Sequence, residues 1–275
     1  MIWQTTRFRI DLARPQVMGI VNITPDSFSD GGRSTAAAIA HCEQLLAEGA
    51  DMLDLGGEST RPGSQPVSID EELSRVLPVL DAALTLGCPI SIDTNKPQVM
   101  REVLARGADI VNDIHALRSP GALDIVANHP SCGACLMHMR GDPATMQQRP
   151  RYDDVLVEVA QFLGERQDAL RERGVADERI VLDPGIGFGK SVEHNLDLLR
   201  RQRELLTLGS PLLVGWSRKS TLGAITGRDV AHRQAASVAA ALAAVQAGAR
   251  IVRVHDVAAT VDALKVWQAA GLLHG

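Results

Sequence analysis

The sequence predicts an α/β fold, a (β/α)8 barrel forming one domain over residues 1–275, and three observations carry that prediction. Eight short apolar, β-branched runs recur along the chain; each is followed by a polar turn and then a helical pattern; several of the helical patterns close on glycine. Strands alternating with helices build parallel sheets with helical crossovers, and eight such units in 275 residues match the size of a closed barrel. An open doubly wound sheet is the alternative, because a strand count does not show closure.

In chain order the strand candidates are "VMGIVN" (17–22), "DMLDLG" (51–56), "PISID" (89–93), "DIVND" (109–113), "ACLMH" (134–138), "RIVLD" (179–183), "PLLVG" (211–215) and "RIVRVH" (250–255). Their length and their Val, Ile and Leu content fit strands buried on both faces. Helical periodicity occupies 34–48, 69–86, 97–106, 152–173, 191–206 and 233–247. Gly49, Gly87, Gly107, Gly174 and Gly248 stand where helices stop. "GAD" at Gly49 and Gly107, echoed by "GAR" at Gly248, is a weak repeat at helix-to-strand junctions. No low-complexity segment divides the chain.

Composition excludes some functions. A net charge of −5 and 3% aromatic residues argue against nucleic acid as a partner, so any anionic substrate needs a local cluster of cations. No run approaches the roughly 20 apolar residues of a membrane span. The N-terminus lacks the charged-then-apolar order of a signal peptide, which makes the cytoplasm the expected location. Cys132 and Cys135 form C-x-x-C near His129 and His138. Because a zinc site usually wants a fourth nearby ligand, packing as small hydrophobes is the preferred reading.

Side chains two apart on a strand share a face. That rule groups Ile20, Asn22 and Thr24; Ser91, Asp93 and Asn95; Ile110, Asn112 and Ile114; Val181 and Asp183; and Ile251, Arg253 and His255. Each of these five apolar strands thus carries a polar group at its carboxyl end, and in a parallel barrel those ends share one mouth, where such folds place their chemistry. Asp93, Asn112 and Asp183 suit a flat heterocycle bearing an amino group, ring N–H groups and a carbonyl. Arg253 and His255 suit phosphate, and the Asn22 amide oxygen suits Mg²⁺ beside a phosphate. Lys219, at a strand-end turn, fits either a Schiff-base nucleophile or a donor to a ring and an anion. In "DPGIGFGKS", Gly185, Gly187 and Gly189 match neither the dinucleotide spacing nor the P-loop spacing. They instead suit a sharp backbone turn beside a bound ring, with Phe188 packed nearby.

These segments coincide with a family. "GIVNITPDSFSDGG", "DLGGESTRPGS", "SIDT", "VNDI", "LMHMRGDPATMQ", "LDPGIGFGKS", "VGWSRKS" and "IVRVHDV", in order over about residues 18–257, resemble the motifs of the bacterial dihydropteroate synthases, which are pterin-binding TIM barrels. The resemblance implies condensation of 6-hydroxymethyl-7,8-dihydropterin diphosphate with p-aminobenzoate, giving 7,8-dihydropteroate and pyrophosphate in folate synthesis. It also implies a cation-like displacement of pyrophosphate, Mg²⁺ as cofactor, a homodimer, and competition by sulfonamides.

Position by position, the resemblance implies pterin contacts from Asp93, Asn112, Asp183, Lys219 and Arg253, with Ile114, Met137, Phe188 and Gly215 as walls. It implies a diphosphate pocket from Asn22, Thr60, Arg61, Arg253 and His255, with Asn22 also the metal ligand. For p-aminobenzoate it implies Phe28, Thr60, Pro62, Phe188 and Ser220. Asp30, Arg61, Lys219, Arg253 and His255 take the catalytic roles, with two loops closing over the site to exclude water. Trp216, and the lack of a glycine in "AHRQAAS" (231–237), depart from the pattern and bear on the p-aminobenzoate side or on helix packing.

Three other readings compete. A methyltetrahydrofolate-binding methyltransferase shares the fold but has no pyrophosphate to hold. A Schiff-base aldolase would act through Lys219. A non-catalytic paralogue would have lost site residues, whereas every assigned one is present.

Overall fold

The computed structural model describes residues 1–23, 31–59, 63–142, 146 and 150–273, and of 31–34 the backbone alone. All eight predicted strands form: β3 (Gln16–Asn22), β4 (Met52–Gly56), β5 (Ile90–Asp93), β6 (Ile110–Asp113), β7 (Gly133–Met137), β8 (Ile180–Asp183), β9 (Leu213–Val214) and β10 (Ile251–Val254). They pair in parallel in the order β8-β7-β6-β5-β4-β3-β10-β9. A parallel bridge between Leu182 and Leu212 joins the two ends, so the sheet is a nearly closed barrel rather than an open one.

Alternation along the strands separates two sets of side chains. Val17, Val21, Leu53, Leu55, Ile90, Ile92, Val111, Leu136, Leu182 and Val252 point outward into one large core shared with the helices. Met18, Met52, Ile110, Cys135, Val181, Leu213 and Ile251 point inward and fill the lower barrel.

Two short strands precede the barrel and were absent from the sequence expectation: β1 (Ile2–Gln4) and β2 (Arg9–Asp11) form an antiparallel hairpin. Three-residue strands are too short to show an alternation, which is why no pattern announced them. Trp3, Ile10 and Leu12 of this hairpin pack on the inward cluster and stopper the barrel's N-terminal end. Trp3 is fully buried, and its indole N–H donates to the Arg179 carbonyl at 3.1 Å. A Cβ at residue 133 would lie 2.9 Å from that indole nitrogen, so Gly133 makes room for the plug.

The helices are α1 (Gly31–Ala47), α2 (Ile69–Ala83), α3 (Pro97–Ala105), α4 (Ala122–Asn128), α5 (Val155–Arg171), α6 (Val192–Arg201), α7 (Ser220–Thr226), α8 (Gln234–Gln246) and α9 (Val257–Ala269). Local chemistry sets several starts. Ser68 caps α2 through the Glu71 N–H, Asp154 caps α5, Ser191 and His194 make a capping box on α6, and Pro97 opens α3. Several expected helices are shorter than their periodic patterns, α5 at both ends and two others because they pass into 3₁₀ turns. The stretch 69–86 passes into a 3₁₀ turn at Leu84–Leu86, and 191–206 into one at Gln202–Leu208. Helices α4, α7 and α9 complete the alternation where no pattern had been singled out. Gly49, Gly87, Gly107, Gly174 and Gly248 all adopt positive φ at the expected stops.

The cysteine pair is packed into the structure. Cys135 belongs to the inward barrel cluster, and Cys132 lies buried against the Val126 carbonyl and the Arg179 guanidinium.

Candidate active site

Parallel register sets Asn22, Gly56, Asp93 and Asn112 side by side at the ends of β3, β4, β5 and β6. Two residues before Gly56, on the same face, Asp54 is fully buried. From β10, Arg253 reaches across the mouth: its Nε donates to Asp54 Oδ2 at 2.6 Å and its Nη2 to Asp93 Oδ2 at 2.9 Å. Asn112 Nδ2 donates to the same Asp54 oxygen at 3.1 Å. A carboxylate only accepts, so this bond fixes the Asn112 amide with its nitrogen on Asp54.

Burial pushes the Asp93 carboxyl up to about 7, against the pull of Arg253 and with help from Asp54, Glu72 and Asp113. Burial also disfavours the Arg253 charge, but Asp54 and Asp93 more than offset it, and its pKa is raised. Asp183, at the end of β8, is buried and raised by desolvation, while the Gly185 N–H bonded to its Oδ1 at 2.7 Å works the other way. Lys219, Lys190 and Arg253 all act on that carboxylate, which places Asp183 and Arg253 in one charged neighbourhood.

Lys219 precedes α7, and its ammonium sits 4.0 Å from the centre of the Phe188 ring. Burial and then Arg253 lower its pKa to about 8, opposed by Asp183 and Asp93. Ile114, Met137, Met139 and Met146 form an apolar cluster against which Phe188 packs. Three walls predicted from sequence therefore meet in one place. Gly185, Gly187 and Gly189 all have positive φ, and a Cβ at Gly185 or Gly189 would overlap the carbonyl oxygens of His138 or Arg140. The glycines thus bring the loop backbone against the end of β7, as expected of a sharp turn. Among the described residues, nothing lies within 4 Å of a Cβ built on Gly215.

His255 follows β10 and is half-buried. Ser217 Oγ accepts from its backbone N–H at 3.1 Å and meets its Nδ1 at 3.0 Å. With Ser217 donating in that second contact, the ring proton sits on Nε2. Ser220 is exposed at the first position of α7. Phe28, Asp30, Thr60, Arg61 and Pro62 lie outside the described residues.

The structure gathers Asp93, Asn112, Asp183, Lys219 and Arg253 at one mouth, together with Asp54 and Ser217, which sequence reasoning did not single out. Asp54 carried a usable signal, since it shares the inward face of "DMLDLG" with Met52 and Gly56. Ser217 carried none, because its role depends on where the β9 turn meets β10. Arg253, which the motif resemblance assigns to both the pterin and the diphosphate side, is held by two carboxylates, Asp54 and Asp93.

A family profile for pterin binding enzymes matches residues 18–255. A dihydropteroate synthase of Neisseria meningitidis serogroup B is 53% identical, with 98% of each chain covered. Among solved structures, the Xanthomonas albilineans dihydropteroate synthase with 4-aminobenzoic acid superposes with a TM-score of 0.93 at 50% identity, covering 100% of both chains. The Burkholderia cenocepacia dihydropteroate synthase complexed with 7,8-dihydropteroate gives a TM-score of 0.90 at 51% identity, covering 98% of this chain and 96% of that one. A barrel mouth lined by acids and an amide, clamped around an arginine and matched along nearly its whole length by these enzymes, places the chain in the dihydropteroate synthase family of pterin-binding enzymes.

Proposed function

We propose that the chain joins 6-hydroxymethyl-7,8-dihydropterin diphosphate to p-aminobenzoate, releasing pyrophosphate and forming 7,8-dihydropteroate. The observation that carries this reading is the Asp54–Arg253–Asp93 clamp, with Asn112, Asp183 and the Lys219–Phe188 pair beside it at one barrel mouth. Relatives of such close similarity were solved with 4-aminobenzoic acid and with dihydropteroate. The methyltransferase reading gains no support from them.

In this reading Asp183 Oδ2 and the remaining oxygen of Asp93 accept from the amino and ring N–H groups of the pterin, and the Asn112 carbonyl oxygen takes another. Lys219 donates to the ring, and the Arg253 guanidinium, fixed by its two carboxylates, lies against the pterin face. Gly215 walls the pterin, Phe188 borders the arylamine as well, and Ser220 receives the arylamine's carboxylate. His255, oriented by Ser217, donates to the departing pyrophosphate as charge builds on it. A neutral arylamine is nucleophilic without a strong base, so positioned charge and water exclusion carry the rate. Roles for Phe28, Asp30, Thr60, Arg61 and Pro62 rest on the motif resemblance.

The Asn22 amide oxygen is the protein ligand assigned to Mg²⁺. A single neutral oxygen fits an ion that keeps most of its waters and is shared with substrate phosphates. When bound, the ion would supply charge neutralisation to the leaving group. We also assign a homodimer, supported by the exposed Ile225 and Val230 beside the alanine-rich α8. A cytoplasmic location accords with no described helix being long and apolar enough to cross a membrane.

The deciding experiment mixes the protein with Mg²⁺, the pterin diphosphate and labelled p-aminobenzoate. Labelled dihydropteroate with stoichiometric pyrophosphate is expected; release of pyrophosphate without labelled product would reject the reading.

A further inference from the structure

Two turns frame the p-aminobenzoate side of the mouth: the glycine loop ending in Phe188, and the turn holding Lys219 and Ser220. They are in intimate contact. A Cβ at Gly187 would lie 3.0 Å from the Lys219 side chain, and the Lys219 ammonium rests on Phe188. Ligand-facing atoms on both turns therefore hold their geometry only if the turns do not slide past each other.

Asn195, on α6 and 1% exposed, reaches both. Its Oδ1 accepts from the Gly187 N–H at 2.9 Å. Its Nδ2 donates to the Ser191 carbonyl at 2.9 Å and to Thr221 Oγ1, also at 2.9 Å. Thr221 is 2% exposed and directly follows Ser220. The glycine loop is also anchored on either side of Gly187. Lys190 donates to the carbonyls of Gly185 at 2.9 Å and Phe188 at 3.1 Å, and Tyr152 Oη to that of Gly189 at 2.8 Å. With the loop pinned to the body of the barrel, the Asn195 amide ties it to α7.

We infer that Asn195 and Thr221 are positioning residues, a hydrogen-bonded strut that sets the spacing between the Gly187–Phe188 turn and the Lys219–Ser220 turn and so aligns the arylamine with the pterin. The inference rests on the function proposed above and goes beyond it, since neither residue faces the mouth. Both amide groups of Asn195 are used, so an isosteric apolar or acidic side chain cannot replace it. Thr221 contributes a hydroxyl oxygen, which serine can supply and valine cannot.

The test compares Thr221→Val, Thr221→Ser, Asn195→Leu and the double variant Thr221→Val/Asn195→Leu in the condensation assay, with thermal melting of each. Misplacement on the ångström scale costs turnover steeply, so Thr221→Val is expected to lower kcat/KM about tenfold, chiefly through a raised KM for p-aminobenzoate. Thr221→Ser is expected to stay within about twofold of the parent, and the double variant to be no worse than Asn195→Leu alone, as residues in one network are non-additive. Thr221→Val with parental KM and kcat, whatever its melting temperature, would overturn the strut; so would losses that simply multiply in the double variant. A parent that makes no dihydropteroate rejects the proposed function itself, and the strut's catalytic role with it.

Discussion

At the scale of single residues, burial makes the site expensive and charge pairing makes it tolerable. Asp183 is buried, with one oxygen committed to the Gly185 N–H. Asp183→Asn turns an acceptor oxygen into a donor facing a donor-rich ring, and should weaken pterin-diphosphate affinity by about 2 kcal/mol or more, read by calorimetry. Arg253 and His255 should separate in the same measurements. His255→Ala is expected to cut turnover while leaving pterin affinity nearly intact, whereas Arg253→Ala, which strands Asp54 and Asp93, should damage both. Asp93 supplies the pH dependence. Its carboxyl is raised to about 7 in the fold, so its favourable contribution to stability is fully present below the ordinary aspartate range and is lost as pH rises through about 7. The ionised form is the one that accepts from the ring. Pterin affinity should therefore rise over the same interval in which this stability contribution falls, and Asp93→Asn should flatten both curves.

At the scale of elements, the hairpin of β1 and β2 matters most, because it caps the bottom layer that the inward strand residues fill. Trp3→Ala should cost about 3–5 kcal/mol in denaturant unfolding, since it removes a fully buried indole over the inward cluster. Active-site geometry lies at the opposite end, so at temperatures where the variant remains folded its KM values should stay near the parent's. A large KM change would show that the plug reaches the mouth. Strands and most helices were readable because period and punctuation are local properties of a chain: β-branched runs, helical periodicity and glycines at stops. The hairpin and the short helices α4 and α7 were not, because three or seven residues show too little of any period, and their burial is decided by distant partners such as Arg179 and Val181.

At the scale of the whole molecule, the barrel gathers chemistry from strands far apart in sequence, with Arg253 meeting Asp54 across 199 positions. Sulfonamides should compete with p-aminobenzoate in the condensation assay. Insensitivity would point to Trp216, which is buried behind the Lys219 turn and whose carbonyl accepts from the Lys219 N–H at 3.2 Å. Taken alone, the sequence determined the eight-unit alternation, the polar residues at the ends of five strands and the kind of ligand those residues suit, because side-chain period and hydrogen-bonding type belong to residues wherever they sit. Tertiary structure decided closure through the Leu182–Leu212 bridge, the partner of Arg253, the buried Asp54 beneath it and the proton affinities of Asp93 and Lys219. Those follow from desolvation and from charges a few ångströms apart, quantities that exist only once remote strands are side by side.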